Sequence, residues 1–182
     1  LRNIAIKSYL KAIEQDGMDE VAIITPRKEN CENSTLEINI RLSDILLDKK
    51  GKTMKLGKKE YLIGSKVMQI DNNYEKNVFN GEVGYITNIE EVQNGKEKTL
   101  EFTVEFKMND QTKVITYTRS ELDQLDLAYA MTIHKSQGSG YKTVIILIDM
   151  THYTLLDTCL LYTAITRAKK RCLLLAEPQA FK

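Results

Sequence analysis

The spacing of apolar residues changes character twice along the chain. Over 4–15, Ile4, Ala5, Tyr9, Ala12 and Ile13 fall close to helical spacing, with Gly17 as a stop. Val21, Ala22, Ile23 and Ile24 then run without interruption to Thr25 and Pro26, the pattern of a strand buried in a parallel sheet. Ser34 or Thr35 caps a second predicted helix, with Leu36, Ile40, Leu42, Ile45 and Leu46 available for its inner face. Six lysines and two glycines over 48–60 predict a mobile surface loop. From 61 to about 117 the period is close to two, as in 66–70, 82–89, 100–107 and 112–117. Asn80-Gly81, Asn94-Gly95 and Asn109-Asp110 separate these runs as turns, so a small β-barrel or meander is expected. Helix–strand alternation then returns. A strand over 128–133 feeds a turn and helix, a buried strand covers 144–148, a helix covers 154–169, and an apolar strand covers 172–176. The simplest architecture is an α/β layer domain interrupted by a small β domain.

Composition narrows the class. With 182 residues, 42% hydrophobic and 28% charged, the chain can bury a core. It has no apolar run long enough to span a bilayer. The start, LRNIAIKSYLKAIEQDG, has no initiator Met and no signal-peptide block, so a piece of a longer cytoplasmic protein is expected. Cys31, Cys159 and Cys172 lack zinc spacing and read as reduced thiols in or near the core. His134 and His152 have no partner at ligand spacing, so no metal is assigned. A net charge of +1 means that any nucleic-acid footprint must be local.

Two stretches concentrate polar chemistry. Over 128–141 (AYAMTIHKSQGSGY) a strand end is followed by Thr132, His134, Lys135, Ser136, Gln137 and Gly138. Such positions lie outside the carboxyl end of a strand, where α/β sheets bind ligands. Gly138 and Gly140 permit close backbone approach, and hydroxyls with a following helix N-terminus suit phosphate oxygens. A solvated capping turn would give the same pattern. Over 155–170, Leu156, Leu160, Thr163 and Arg167 form one helical stripe from apolar to cationic. It carries Arg167 at a helix end, where it could face a transferring phosphoryl group. An Arg complementing the helix dipole, with Lys169, Lys170 and Arg171, fits equally.

A family resemblance bears on these alternatives. TIHKSQGS resembles motif V of superfamily 1 helicases, and LLYTAITRAKK resembles their motif VI. GSKVMQIDNNYEKNVFNGEVG, over 64–84, is similar to the start of the SH3-like barrel inserted in RecD-like helicases, and VAIITP is similar to the motif IV strand. The resemblance, which extends to exodeoxyribonuclease V alpha-type subunits, implies a RecA-like P-loop NTPase-type parallel sheet domain over 1–63 and 124–182, with an SH3-like β-barrel inserted at 64–123. This would be the second of two motor domains, with ATP and Mg²⁺ held mainly by an N-terminal RecA-like domain of the same chain. The resemblance makes Arg167 the catalytic arginine reaching the γ-phosphate and Gly138 a nucleotide-approaching position. It places Thr132, His134, Lys135 and Ser136 against single-stranded DNA, with 5′-to-3′ movement. Other exonuclease subunits are further expected partners; a membrane is not.

Two departures stand out. Gly140 occupies a place where the family usually has an acidic residue, and no Arg stands near Thr158–Cys159. No G-x-x-x-x-G-K-[ST] phosphate loop occurs in the chain, so it is expected to be inactive alone. In the barrel, Asn72, Asn73, Tyr74, Lys76, Asn77 and Phe79 are candidates for the DNA strand, with Tyr74 and Asn73 preferred. Tyr74 is the stacking candidate and Phe79 is expected in the barrel core. The barrel and motif V are expected to form one face of a single-strand channel. A non-catalytic binding module of the kind found in conjugative relaxases is the alternative. A nuclease is disfavoured because no carboxylate cluster has metal-binding spacing.

Overall fold

The computed structural model describes residues 1–94, 97–108, 111–151 and 158–181. Its elements begin with α1 (Arg2–Asp16), β1 (Val21–Thr25), α2 (Thr35–Leu46), β2 (Thr53–Leu56), β3 (Lys59–Leu62) and β4 (Lys66–Gln69). Then come β5 (Val83–Asn94), β6 (Glu97–Met108), β7 (Gln111–Thr118), β8 (Leu125–Leu127) and β9 (Ala130–Thr132). The last are β10 (Tyr141–Ile148), α3 (Thr158–Ile165) and β11 (Ala168–Ala176). They form two compact units, Leu1–Asn39 with Tyr129–Lys182, and Ile40–Ala128.

The first unit is built on a parallel sheet in the order β11-β10-β1-β9. All of β1 is buried and β10 nearly so, which is why both read as unbroken apolar runs. Ile23 pairs with Ala130 on one side and Ile145 on the other. Against β1 and β10, α1 buries Ala5, Ile6, Tyr9 and Ala12, while Ile4 turns outward. At the far end of α1, the Asp16 carboxylate accepts from Thr143 Oγ1 at 2.7 Å and from Arg171. These two bonds hold its pKa below the ordinary aspartate range. On α2 the buried positions are Thr35, Ile38, Asn39, Leu42 and Ser43, whereas Ile45 is exposed. The inner face is thus more polar than the apolar residues suggested.

The second unit is a five-stranded antiparallel sheet, β7-β6-β5-β4-β8, with a β2–β3 hairpin. Its core joins Tyr61, Val67, Ile86, Phe102, Val104, Phe106, Tyr117, Leu122 and Leu125. Phe102 and Tyr117 stack at 5.4 Å, and Tyr117 donates its hydroxyl to Gln69 Oε1 on β4 at 2.8 Å. Strands β7 and β4 are not neighbours in the sheet, so this contact spans its curl. The unit runs from Ile40 to Ala128, wider than 64–123, because β8 pairs with β4 and the Tyr61 hydroxyl donates to Leu125 O.

Several expectations change here. The lysine-rich 48–60 stretch is not a loop throughout; it contains β2 and much of β3, turning through Gly57 at φ 58°. Met54, Tyr61 and Leu62 are buried, while Lys49 and Lys55 pair with Glu60, and Lys59 with Asp126. Ion pairing lets lysines flank strands that bury Met54, Tyr61 and Leu62. No α-helix follows β9: a three-residue 3-10 turn, His134–Ser136, leads through 137–140 directly into β10. The final helix ends at Ile165, and Lys169 belongs to β11, an edge strand on which Lys169 and Lys170 are exposed and Arg171 pairs with Asp16. Cys159 and Cys172 are exposed and Cys31 is half-buried, so the cysteines are not core residues. His152, Leu156, the predicted helix start at Thr154, Gly95 and the Asn109-Asp110 turn lie outside the described residues.

Candidate functional site

The segment after β9 is fixed at its root by Asn39. That side chain, 5% exposed, accepts from Ala130 N–H at 2.7 Å and donates to Ala130 O at 2.8 Å. Asn39 thereby serves as the missing neighbour of an edge strand. Beyond the strand, Thr132 Oγ1 accepts from Lys135 N–H at 3.4 Å. Ser136 is fully buried and donates its hydroxyl to Ile133 O at 2.7 Å, so in this conformation it shapes the turn. His134 is exposed and Lys135 half-buried. Gly138 has φ 82°, which favours glycine, and its α-carbon faces open space.

Arg167 lies two residues beyond α3 and is half-buried. Its guanidinium donates to Ser139 O at 3.1 Å, Thr163 O at 3.2 Å and Thr166 Oγ1 at 3.2 Å. Its own carbonyl accepts from Tyr141 N–H at 2.9 Å. The arginine and the 138–140 segment, both singled out in the sequence, are therefore joined directly. At the carboxyl end of β10, buried Asp149 accepts from Asn33 Nδ2 and from Thr151 N–H at 2.8 Å. No metal-binding cluster occurs among the described residues. An open cleft of about 630 Å³ lies elsewhere in this unit, lined by Lys11, Gln15, Thr143, Arg171 and Leu173.

In the other unit, residues 71–81 form a tightly bonded loop. Asn73 Oδ1 accepts from Lys76 N–H, and its Nδ2 donates to Gln124 Oε1, each at 3.0 Å. Asn72 Oδ1 accepts from Asn80 N–H at 2.9 Å. Lys76 Nζ is held by Thr116 O at 2.7 Å and Glu121 at 2.6 Å. Thus Asn73 and Lys76 brace the loop. Tyr74, 77% exposed, is an outward aromatic of the loop. Phe79 is not in the barrel core: it is 38% exposed and meets Tyr74 edge-on at 6.0 Å, with Lys113 Nζ 5.9 Å from its ring. An aromatic immediately before an Asn-Gly turn has too few neighbours on one side to be enclosed. Asn39 and Ser139 were missed as site residues, and Phe79 was a candidate for which the core role was preferred. A polar residue on a buried helix face was the available signal for Asn39.

Two family models match the chain. The ATP-dependent RecD-like DNA helicase SH3 domain covers residues 38–106, and the UvrD-like helicase C-terminal domain covers residues 127–175. Together with the parallel sheet and its β-rich companion, they define a segment of a superfamily 1 helicase, an α/β RecA-like domain with an SH3-like insert. The chain belongs to the RecD-like helicases. It is 30% identical over 87% of its length to the ATP-dependent RecD2 DNA helicase of Deinococcus radiodurans, covering 20% of that protein. It is 28% identical over 96% of its length to the RecBCD enzyme subunit RecD of Haemophilus influenzae, covering 24% of it. The chain thus spans between a fifth and a quarter of the length of these relatives. A crystal structure of Bacteroides Pif1 bound to single-stranded DNA shares the fold, with a TM-score of 0.50, 22% identity, and coverage of 85% of this chain and 40% of that one.

Proposed function

We propose that this chain is the arginine-donating, DNA-gripping part of an ATP-dependent helicase that moves 5′-to-3′ on single-stranded DNA in the cytoplasm. ATP and Mg²⁺ would be held mainly by an N-terminal RecA-like domain of the same protein, in keeping with the lack of a phosphate loop in these 182 residues. Arg167 is the catalytic residue of the proposal, and Gly138 lets the adjoining backbone approach the nucleotide. The observation that carries it is the bond from Arg167 to Ser139 O, which ties the cationic side chain to the loop bearing Thr132, His134 and Lys135. A nucleotide drawing on Arg167 would compete with that bond and so alter the loop that meets DNA. Such a shared contact is a physical route from hydrolysis to strand grip. His134, Lys135, Thr132 and Tyr74 are the proposed DNA contacts, with Asn73 and Ser136 shaping the loops that present them. In a multisubunit setting, other exonuclease subunits would be its partners, as the name of the Haemophilus relative says of that protein.

The experiment is unwinding by the full-length protein on duplexes with a 5′ or a 3′ single-stranded tail. The 5′-tailed duplex is expected to open, and Arg167→Ala to abolish opening while leaving single-strand binding in place. Lys135→Ala and Tyr74→Ala are each expected to weaken single-strand binding at moderate salt, where phosphate contacts are sensitive. Preference for the 3′ tail would overturn the polarity, and unchanged affinity in both substitutions would overturn the DNA-contact assignment.

A further inference from the structure

Lys169 is the second residue of β11, and its stem lies across Gly140. A Cβ on Gly140 would stand 2.9 Å from Lys169 Cε and 3.7 Å from its Cγ. Gly140 does not have a positive φ, so its backbone does not demand glycine, and a Cβ there would require only that the flexible end of the Lys169 stem move aside. Strand β11 runs parallel to β10, pairing Ala168 with Tyr141 and Arg171 with Thr143, and Lys169 lies in the register shift between these pairs. Lys169 is exposed, and no carboxylate pairs with it among the described residues. Across the same two loop residues, Arg167 donates to Ser139 O. Two cations thus flank Ser139 and Gly140, one planar and tethered, the other a point charge on a stem that packs over glycine.

We infer that Lys169 is a second cationic contact for the nucleotide triphosphate that Arg167 reaches, and that Gly140 is the residue that makes room for it. The inference rests on the proposed role of Arg167. Its chemistry is separate: a polyphosphate presents several anionic oxygens, an ammonium meets them as a point charge, and a guanidinium meets them as a fork. Any side chain at 140 would push the lysine stem away from the loop and carry its charge with it.

The test is steady-state ATP hydrolysis by the full-length protein at saturating single-stranded DNA. Lys169→Met keeps the stem and removes the charge. It is expected to raise KM for ATP about 5–20-fold, the range for losing a partly screened charged hydrogen bond, with kcat changed by no more than about threefold. Lys169→Arg should restore most of the affinity. Gly140→Ala should raise KM similarly, and combining it with Lys169→Met should add little, because both remove one contact. The exposed neighbour variant Lys170→Met should behave as the wild type. A wild-type KM in Lys169→Met would overturn the inference. So would a defect in Gly140→Ala alone, or a loss confined to DNA affinity. Full turnover in Arg167→Ala would instead sink the nucleotide assignment on which it rests, and an inactive Arg167→Ala beside a normal Lys169→Met would sink only the lysine.

Discussion

Replacing Gly84 with alanine isolates one packing term in the β-rich unit. Gly84 lies on β5 opposite Phe106 of β6 and is buried. An added Cβ would stand 2.6 Å from Glu105 O, 2.9 Å from Phe106 Cδ1 and 3.0 Å from Val104 Cγ1. The two side chains can shift by tenths of an ångström. The carbonyl cannot do so cheaply, because β6 is laddered to β5 on one side and β7 on the other. Overpacking of this kind costs about 1–3 kcal/mol, and a fixed backbone atom puts it towards the upper end. Lower unfolded-state entropy offsets about 0.4–1 kcal/mol, because Gly84 has no positive φ. The net loss is then about 1–2.5 kcal/mol, or a fall in Tm of roughly 5–15 °C for a unit of this size. Urea and thermal unfolding of the 182-residue chain, followed by near-UV circular dichroism, would measure it. Tyr61 and Tyr117 report on this core, and the chain has no tryptophan. An alanine variant as stable as the wild type would refute the reasoning.

Two further perturbations bear on the loops. Asn39→Ala strips Ala130 of both side-chain bonds, and with about 1–3 kcal/mol for each buried group left unmade, a loss of roughly 2–4 kcal/mol is expected. Amide exchange across Ala130–Thr132 should accelerate, and unchanged protection there would show that the clamp carries no load. Burial pushes the Glu121 carboxyl up, but the bonds from Lys76 and Thr118 outweigh it and leave the pKa below the ordinary glutamate range. A lowered folded pKa contributes stability that is fully present above the unfolded value, about 4.3, and is lost as pH falls through the lower folded value. The gap in urea midpoint between wild type and Glu121→Gln should therefore close on acidification below about pH 4. A gap that stayed constant from pH 7 to 3 would contradict the assignment.

The parts of the fold legible in the sequence were those where one physical demand dominated. Val21–Thr25 and the apolar 144–148 run announced themselves because strands buried on both faces are mostly apolar, with only Thr25 breaking the run. Strands β5 to β7 showed their period of two because one face meets the aromatic core, whereas β4 is buried at every position. The β2–β3 hairpin was hidden because lysines that look solvated are held by Glu60 and Asp126. The start of β11 was hidden because Lys169, Lys170 and Arg171 belong equally well to a helix end or an exposed edge strand. At the candidate site, residue types alone left Arg167 between a dipole partner and a phosphate contact, and the family resemblance tipped it. Its bond to Ser139 O joins residues 28 positions apart and involves a backbone carbonyl, which no side-chain pattern encodes. Asn39 likewise acts on Ala130 across 91 positions. Phe79 was misplaced because local turn chemistry says nothing about how many neighbours a ring will find.

The central claim is that Arg167 serves a nucleotide held largely by another domain. The most direct measurement is DNA-stimulated kcat for ATP hydrolysis by the full-length protein, wild type against Arg167→Ala, at saturating ATP and DNA. An arginine that stabilises the transferring phosphoryl group predicts a fall of about 10³–10⁵-fold with the protein still folded and still binding single-stranded DNA. A kcat within threefold of the wild type would contradict the account and leave Arg167 as a structural tie between α3 and the 138–140 loop.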